Sequence, residues 1–147
     1  MPKTTDYSAY FSAPLPESFY ERFLAMTAGY PAVAALDGDT VVGFAFLRAY
    51  HPAPALKSCA EITYFIHPDH TRHGLGERLL DYLTKQAAAM GVTDIVASVS
   101  SLNPGSIAFH ERHGFRQVGR LNGVGCKFGR EFDVVYLQRS LGAKQGA

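Results

Sequence analysis

The feature that most constrains the fold is an apolar run, a glycine-containing turn and a long amphipathic segment in immediate succession. Residues 58–66 read SCAEITYFI, a β-branched and aromatic run typical of a strand, and GLGERLLDYLTKQAAAMG follows with the apolar periodicity of a helix. TDIVASVS at residues 93–100 then predicts a second, buried strand. Since strands joined by a crossover helix run parallel, residues 58–66 and 93–100 are expected to form a parallel pair.

The flanking segments predict further strands and helices around this unit. Asp37-Gly38 lies between AVAAL and TVVGFAFLRAY, a strong hairpin signal. Asn103 is placed to cap a helix in PGSIAFHERHG, and PESFYERFLAM predicts another helix at residues 16–26. FRQVGRL and FDVVYLQRSL predict two closing strands. The expected fold is α/β, with a mixed central sheet flanked by helices.

Length and composition limit the number of domains and the kinds of partner. The 147 residues predict one domain over residues 1–147, with 1–15 and 142–147 peripheral or mobile. A net charge of +1 gives no electrostatic basis for nucleic acid or an anionic membrane as partner. The N-terminus lacks a signal peptide's apolar stretch, and no run approaches the roughly 20 apolar residues of a membrane helix. Two cysteines without a CxxC pair favour a cytoplasmic location.

Gly74 and Gly76 stand at the start of the predicted long helix. The first N–H groups of a helix lack intrahelical partners, and glycines leave them uncovered, so a phosphate group could bind there with Arg72 and Arg78 nearby. The run lacks the Lys-Ser/Thr of a Walker loop and the third glycine of a Rossmann fingerprint. A tight strand-to-helix turn without any ligand is the alternative interpretation.

Three histidines precede these glycines at a spacing of three residues. His67, His70 and His73 could share a face and hold zinc if the turn were helical. Pro68 and the strand before it argue against a helix, and no cysteine cluster supplies further ligands. Solvated loop histidines are therefore the preferred interpretation, and no metal is predicted.

Two motifs carry a resemblance to a known family. IHPDHTRHGLGERLL resembles the acyl-CoA signature of the GNAT acetyltransferase superfamily, apolar-x-Pro-x-x-Gln/Arg-x-x-Gly-x-Gly/Ala at the end of a strand. The matching positions are Ile66, Pro68, Gly74 and Gly76. Thr71 stands where Gln or Arg is usual.

The second motif lies in the predicted helix after Asn103. NPGSIAFHERHGF resembles the superfamily pattern Asn-x-x-Ala/Ser-x-x-x-Tyr-x-x-x-Gly-Phe, and His110 occupies the tyrosine position. The matching positions are Asn103, Ser106, Gly114 and Phe115. The phosphinothricin acetyltransferase-like group has histidine there, and it has a glutamate in a stretch like AEITYFI, which gives Glu61 here. The resemblance covers roughly residues 17–140.

The resemblance implies acyl transfer from acetyl-CoA to an amine, with Glu61 as general base and His110 as the acid for the departing thiolate. It implies that a backbone N–H near Phe65 or Ile66 holds the oxyanion where the parallel strands splay apart. The residues expected to bind acetyl-CoA are Phe65, Ile66, Thr71, Arg72, His73, Gly74, Leu75, Gly76, Asn103 and Ser106. From the residues alone, Glu61 could equally face solvent and His110 could be a packing residue.

The chain departs from the family at its N-terminus. Nothing before Pro16 matches the family's opening strand and helix, so the resemblance implies a GNAT fold shortened at the N-terminus or one in which DYSAYF replaces that strand. An edge left open at residues 32–36 would be covered in cis or by a second subunit, and we expect a homodimer.

The expected function is acetylation of the primary amine of a small molecule, with an amino acid or analogue as the candidate acceptor. One alternative is a protein or peptide N-acetyltransferase with the same chemistry. Another is a catalytically silent acyl-CoA-binding module, which the presence of both Glu61 and His110 argues against.

Overall fold

A six-stranded mixed sheet forms the centre of the part of the chain that the computed structural model describes, residues 29–67 and 74–142. The elements in chain order are β1 (Ala32–Asp37), β2 (Thr40–Ala49), a short 3-10 turn (Pro54–Leu56), β3 (Cys59–Ile66), α1 (Leu75–Ala89), β4 (Asp94–Ser100), α2 (Pro104–Arg112), β5 (Arg116–Lys127) and β6 (Arg130–Ser140). The helix expected at residues 16–26 lies outside the described residues. Neither described α-helix is long and apolar enough to cross a membrane.

The sheet has the strand order β1-β2-β3-β4-β6-β5, with β3 and β4 as its parallel pair. The described neighbours on either side of this pair are antiparallel. The α/β prediction with a mixed sheet and a parallel pair at residues 58–66 and 93–100 is therefore confirmed. The predicted hairpin at Asp37-Gly38 joins β1 to β2, and Gly38 has the positive φ of 62° that such a turn requires.

The hydrophobic core lies on one face of the sheet, beneath α1 and α2. The buried leucines of α1, which are Leu79, Leu80 and Leu83, belong to one cluster with alternate residues of the central strands. From β3 these are Ala60 and Ile62. Since successive strand residues point to opposite faces, Glu61 belongs to the face away from both helices.

β5 and β6 are longer than the sequence predicted and form a continuous ribbon. A two-residue turn at Phe128 and Gly129 joins them, and both residues have positive φ angles, 52° and 75°. Such a turn matches the twist of a hairpin. Within the ribbon the register shifts between Leu121 and Gly125, where Asp133 accepts hydrogen bonds from the Gly123 amide at 2.7 Å and from the Arg120 guanidinium at 2.8 Å.

Candidate active site

The parallel strands β3 and β4 separate after three paired positions. The ladder joins Cys59, Ala60 and Glu61 of β3 to Asp94, Ile95 and Val96 of β4. Both strands continue, β3 to residue 66 and β4 to residue 100, but β4 then pairs with β6 alone. The sheet is therefore open between residues 62–66 and 97–100, as the resemblance implied.

The amides of β3 alternate between β2 and this opening. Cys59 accepts a hydrogen bond from Tyr50, and His67 donates one to Val42, so the odd-numbered residues of β3 bond to β2. Phe65, which lies opposite Phe44 of β2, is one of these. The backbone of Ile66 therefore points away from β2, toward the side where β4 has left the ladder.

The predicted phosphate turn is described only in its second half. Thr71, Arg72 and His73 lie outside the described residues. Gly74 is the N-cap residue of α1 and has a left-handed φ of 71°, and a Cβ placed on it would meet no atom of the described residues within 4 Å. This space lies directly before the amides of the first helical turn, beginning at Leu75, which have no partner within the helix itself, so the backbone here fits an anion.

Gly76 lies where the first turn of α1 meets α2 and the end of β3. A Cβ on this residue would lie 3.4 Å from the Phe109 ring of α2 and 3.6 Å from Ile66, which are ordinary van der Waals distances. Packing within the described residues therefore leaves room for a methyl group at this position. The two glycines of the motif differ in conformation, since Gly74 has a left-handed backbone and Gly76 does not.

Glu61 is buried, with 8% of its surface exposed, and is anchored through one carboxylate oxygen. Its Oε2 accepts hydrogen bonds from Arg48 Nη2 of β2 at 3.3 Å and from Ser98 Oγ of β4 at 3.2 Å. The interpretation as a solvent-facing strand residue is therefore wrong. A buried carboxylate with two donors on one oxygen is held in a defined orientation.

His110 is buried in α2, with 2% of its surface exposed. Its Nδ1 lies 2.7 Å from the carbonyl oxygen of Ser106, which can only accept, so Nδ1 carries the proton of the neutral ring. Burial lowers the pKa of His110 despite the opposing hydrogen bond to Ser106. The resting imidazole therefore has a lone pair at Nε2, and this buried atom has no hydrogen-bond partner among the described residues.

Tyr64 is a polar neighbour of His110 that the motifs did not indicate. The two rings meet edge to face, with centroids 5.5 Å apart, and the buried Tyr64 hydroxyl also has no hydrogen-bond partner in the part of the chain that the structure describes. Burial raises the pKa of Tyr64, so the hydroxyl keeps its proton. A donor and an acceptor without partners therefore lie on neighbouring side chains beside the opening.

Asn103 and Ser106, expected to bind the cofactor, both have structural roles at the start of α2. The Asn103 side chain accepts a hydrogen bond from the Ser106 amide at 3.0 Å, which is the predicted N-cap. The Ser106 carbonyl in turn fixes the His110 ring. A role toward the cofactor stays a prediction for both residues.

Glu61 and His110 lie on opposite faces of the sheet. His110 contacts Tyr64 and Phe109, in the layer of α1 and α2. Glu61 shares the other face with Arg48 and Ser98. The opening between β3 and β4 is where the two faces communicate, so a bound thioester there could be approached from both sides.

An opening of this kind, beside a helix that begins at a glycine, is the arrangement that the resemblance to the acetyltransferases implied. The chain matches the acetyltransferase (GNAT) family model over residues 4–115. The protein therefore belongs to the GNAT family of acetyltransferases, and the resemblance carried by the two motifs is confirmed.

Relatives also confirm the phosphinothricin acetyltransferase-like group. The L-amino acid N-acyltransferase MnaT of Escherichia coli is 32% identical over 114 residues, 78% of this chain and 66% of that protein. The L-methionine sulfoximine/L-methionine sulfone acetyltransferase of Pseudomonas aeruginosa is 34% identical over 120 residues, 81% of this chain and 70% of that protein. A phosphinothricin acetyltransferase of Sinorhizobium meliloti, solved in complex with AcCoA, has a TM-score of 0.83 at 31% identity, covering 92% of this chain and 75% of that chain. The chain thus spans about two thirds of the length of these curated relatives.

Proposed function

We propose that the protein transfers the acetyl group of acetyl-CoA to the primary amine of a small molecule, an amino acid or an amino acid analogue. The observation that carries this proposal is the separation of β3 and β4 immediately beyond Glu61, which opens the sheet beside a buried carboxylate. The names of the relatives support the same class of acceptor, because they refer to amino acids, methionine sulfone and phosphinothricin.

Acetyl-CoA, when bound, supplies the acetyl group as a thioester whose sulfur leaves as a thiol. The backbone of residues 71–76 would hold its pyrophosphate, because the space beside Gly74 is open and the amides of α1 begin there. The Ile66 backbone, which faces the opening, would donate to the acetyl carbonyl oxygen in preference to that of Phe65. Asn103 and Ser106 would border the same ligand.

Glu61 is proposed as the base that removes a proton from the acceptor amine, directly or through water. A free amine is mostly protonated near neutral pH, so a positioned base increases the fraction that can attack. The proton passes from the ammonium form of the acceptor to the carboxylate, and the lone pair of the neutral nitrogen then forms the new carbon–nitrogen bond.

His110 is proposed to deliver a proton to the departing thiolate. Its resting form carries no proton at Nε2, so it must first take up the second proton that the nitrogen loses from the tetrahedral intermediate, directly or through water, and it then gives a proton to the departing sulfur. Because a thiolate already leaves fairly well, this contribution is expected at the low end of acid–base catalysis.

The acceptor is proposed to carry an acid group beside its amine. Lys127 and Arg130 flank the turn of the β5–β6 ribbon, and Arg130 is exposed, so a cation is available to pair with a carboxylate. Phe132 is buried in the same ribbon.

The test of this function is turnover with a panel of acceptors, read as released thiol. Methionine sulfone is expected to be acetylated with a higher kcat/KM than a neutral alkylamine or a short basic peptide. A preference for the peptide would support a peptide N-acetyltransferase instead. Binding of acetyl-CoA without turnover of any amine would support a silent acyl-CoA-binding module.

We also propose a cytoplasmic homodimer without nucleic acid or a membrane as partner. β1 is an edge strand in the described sheet, and Leu36 on it is 61% exposed, which favours cover by a second subunit. Cys59 and Cys126 do not form a disulfide with each other, which fits a reducing compartment. Light scattering at micromolar concentration should give the mass of two chains, and the mass of one chain would contradict the dimer.

A further inference from the structure

Three neighbouring strands each contribute a side chain to one hydrogen-bonded cluster at Glu61. Arg48 of β2 is the residue directly opposite Glu61 in the antiparallel ladder. Val96 of β4 is the residue opposite Glu61 in the parallel ladder, and Ser98 follows two positions later on the same face. The cluster is therefore set by the register of β2, β3 and β4 together.

The position of Ser98 determines the direction in which the carboxylate leans. The pair of Glu61 with Val96 is the last rung of the parallel ladder, so Ser98 lies beyond it, where the two strands have begun to separate. A carboxylate bonded to Ser98 at 3.2 Å is drawn along the strand toward the opening. Arg48 holds the same oxygen from the opposite side at 3.3 Å.

Both anchors use Oε2 and leave Oε1 for another partner. Within residues 29–67 and 74–142, Oε1 of Glu61 makes no hydrogen bond. Because the carboxylate group is planar, fixing Oε2 with two donors also fixes the direction of Oε1. One oxygen is thus structural, and the other can accept a proton from an amine or from water.

We propose that Arg48 and Ser98 are positioning residues, which hold Glu61 by Oε2 so that Oε1 faces the acceptor amine at the opening. This inference rests on the proposed function, since it assigns the orientation of the base in that reaction. Neither residue belongs to either family motif, and neither needs to touch the acceptor or acetyl-CoA.

The kinetic test compares Arg48→Met, Arg48→Lys and Ser98→Ala with the wild type. Misplacing a catalytic group by about 1 Å can cost on the order of 100-fold, so Arg48→Met should lower kcat by roughly 10- to 100-fold with little change in the KM for acetyl-CoA. Arg48→Lys should recover part of this loss because it restores a donor of the same charge. Ser98→Ala should have a smaller effect, because Arg48 remains.

The matched control is Arg120→Met, which removes another arginine–carboxylate pair. Arg120 Nη2 lies 2.7 Å from Asp133, and Arg120 is on β5, which β4 and β6 separate from the strand of Glu61. This variant should keep the wild-type kcat. An equal loss of kcat in Arg120→Met and Arg48→Met would overturn the proposal, because it would show a general effect of losing an ion pair.

A double mutant and a comparison of acceptors distinguish positioning of Glu61 from two other roles of Arg48. These are a contribution to catalysis that is independent of Glu61, and binding of the acceptor's acid group. If Arg48 acts only through Glu61, adding Arg48→Met to Glu61→Gln should change kcat by less than about twofold, because interacting residues are non-additive. A full additional loss in the double mutant would overturn the proposal. So would a rise in KM for amino acids but not for alkylamines, which would mean that Arg48 binds the acceptor's acid group.

Crystal structures of the wild type and Arg48→Met test the inference without turnover. The Glu61 carboxylate should be displaced or disordered in the variant, with Oε2 no longer held on the side of β2. A Glu61 carboxylate in the same position in Arg48→Met as in the wild type would overturn the positioning role, even if the wild type acetylates every amine of the panel. Failure of the wild type to acetylate any amine would instead reject the proposed function, while the crystallographic comparison would still decide whether Arg48 orients Glu61.

Discussion

Replacing Gly74 by alanine should have two separate effects. Its left-handed backbone conformation should lower the free energy of unfolding, and the added methyl group should weaken the binding of acetyl-CoA. Gly74 has a φ of 71°, and an added Cβ would meet no described atom within 4 Å. The methyl group therefore causes no clash, and the folding cost is that of a left-handed residue, about 1–2 kcal/mol. In a domain of this size Tm falls by about 2–4 °C for each kcal/mol.

Gly38 offers a matched control in the β1–β2 turn. Its φ is 62°, and a Cβ there would also meet nothing within 4 Å. Gly38→Ala should therefore lower Tm by about the same amount as Gly74→Ala, since the backbone strain is alike. The two variants differ only in what lies beside them, a solvent-facing turn or the start of α1.

The assay is thermal unfolding with and without acetyl-CoA. A ligand at about 100 times its Kd stabilises the wild type by about 2.7 kcal/mol, and Gly38→Ala should keep this increment. Gly74→Ala should lose most of it, because the methyl group occupies the space assigned to the pyrophosphate. If Gly74→Ala keeps the full increase in Tm with acetyl-CoA, the assignment of this turn to the cofactor is refuted.

Three further variants test other parts of the structure. Glu61→Gln should lower turnover by a factor on the order of 10² to 10⁴ near neutral pH and by less at high pH, where the amine loses its proton without a base. A loss of kcat that is the same at every pH would contradict the role of Glu61 as base. Burial lowers the pKa of His110, so the unfolded chain binds more protons than the folded one. The stability that the neutral ring contributes is therefore present above about pH 6.5 and is lost as the pH falls. His110→Phe should remove this part of the change in Tm between about pH 8 and 5, and it should lower turnover modestly. The methyl group of Gly125→Ala would overlap the Phe132 ring, so this variant should lower the free energy of unfolding, measured with denaturant, by about 1–3 kcal/mol. Adding Phe132→Leu should recover part of this loss, because it removes the ring that the methyl group overlaps.

The elements with strong local signals were predictable from the sequence. The apolar stripe of α1, the Asp37-Gly38 turn and the Asn103 cap each depend on residues within one turn or one helix, and the structure places them as expected. The parallel pair followed from the order strand, helix, strand, because a crossover helix permits little else. The position of Gly74 at the start of α1 was predictable for the same local reason.

The length of the β5–β6 ribbon was not predictable in this way. The predicted first strand, FRQVGRL, ends at Leu121. The strand instead continues through an irregular register, which Asp133 holds together by its bond to the Gly123 amide. The actual turn includes Phe128 with positive φ, a conformation that aromatic residues rarely adopt.

The candidate site was predictable as single residues but not as an arrangement. Glu61 and His110 could be found because motifs mark their positions, whereas Arg48 and Ser98 depend on the pairing register of three strands. The protonation state of His110 also depends on contacts made after folding, chiefly its burial and the Ser106 carbonyl. Such properties have no signature in a single segment.

The placement of Glu61 and the glycine turn on different sides of the opening has a consequence for the order of events in turnover. The two substrates would enter by separate routes, so the amine can bind while acetyl-CoA is still bound. Initial-rate lines for varied amine at several acetyl-CoA concentrations should then intersect, as they do when both substrates are bound together. No acetylated form of the protein should accumulate when the acceptor is withheld, because the acyl group passes from sulfur to nitrogen without an intervening stop on a side chain.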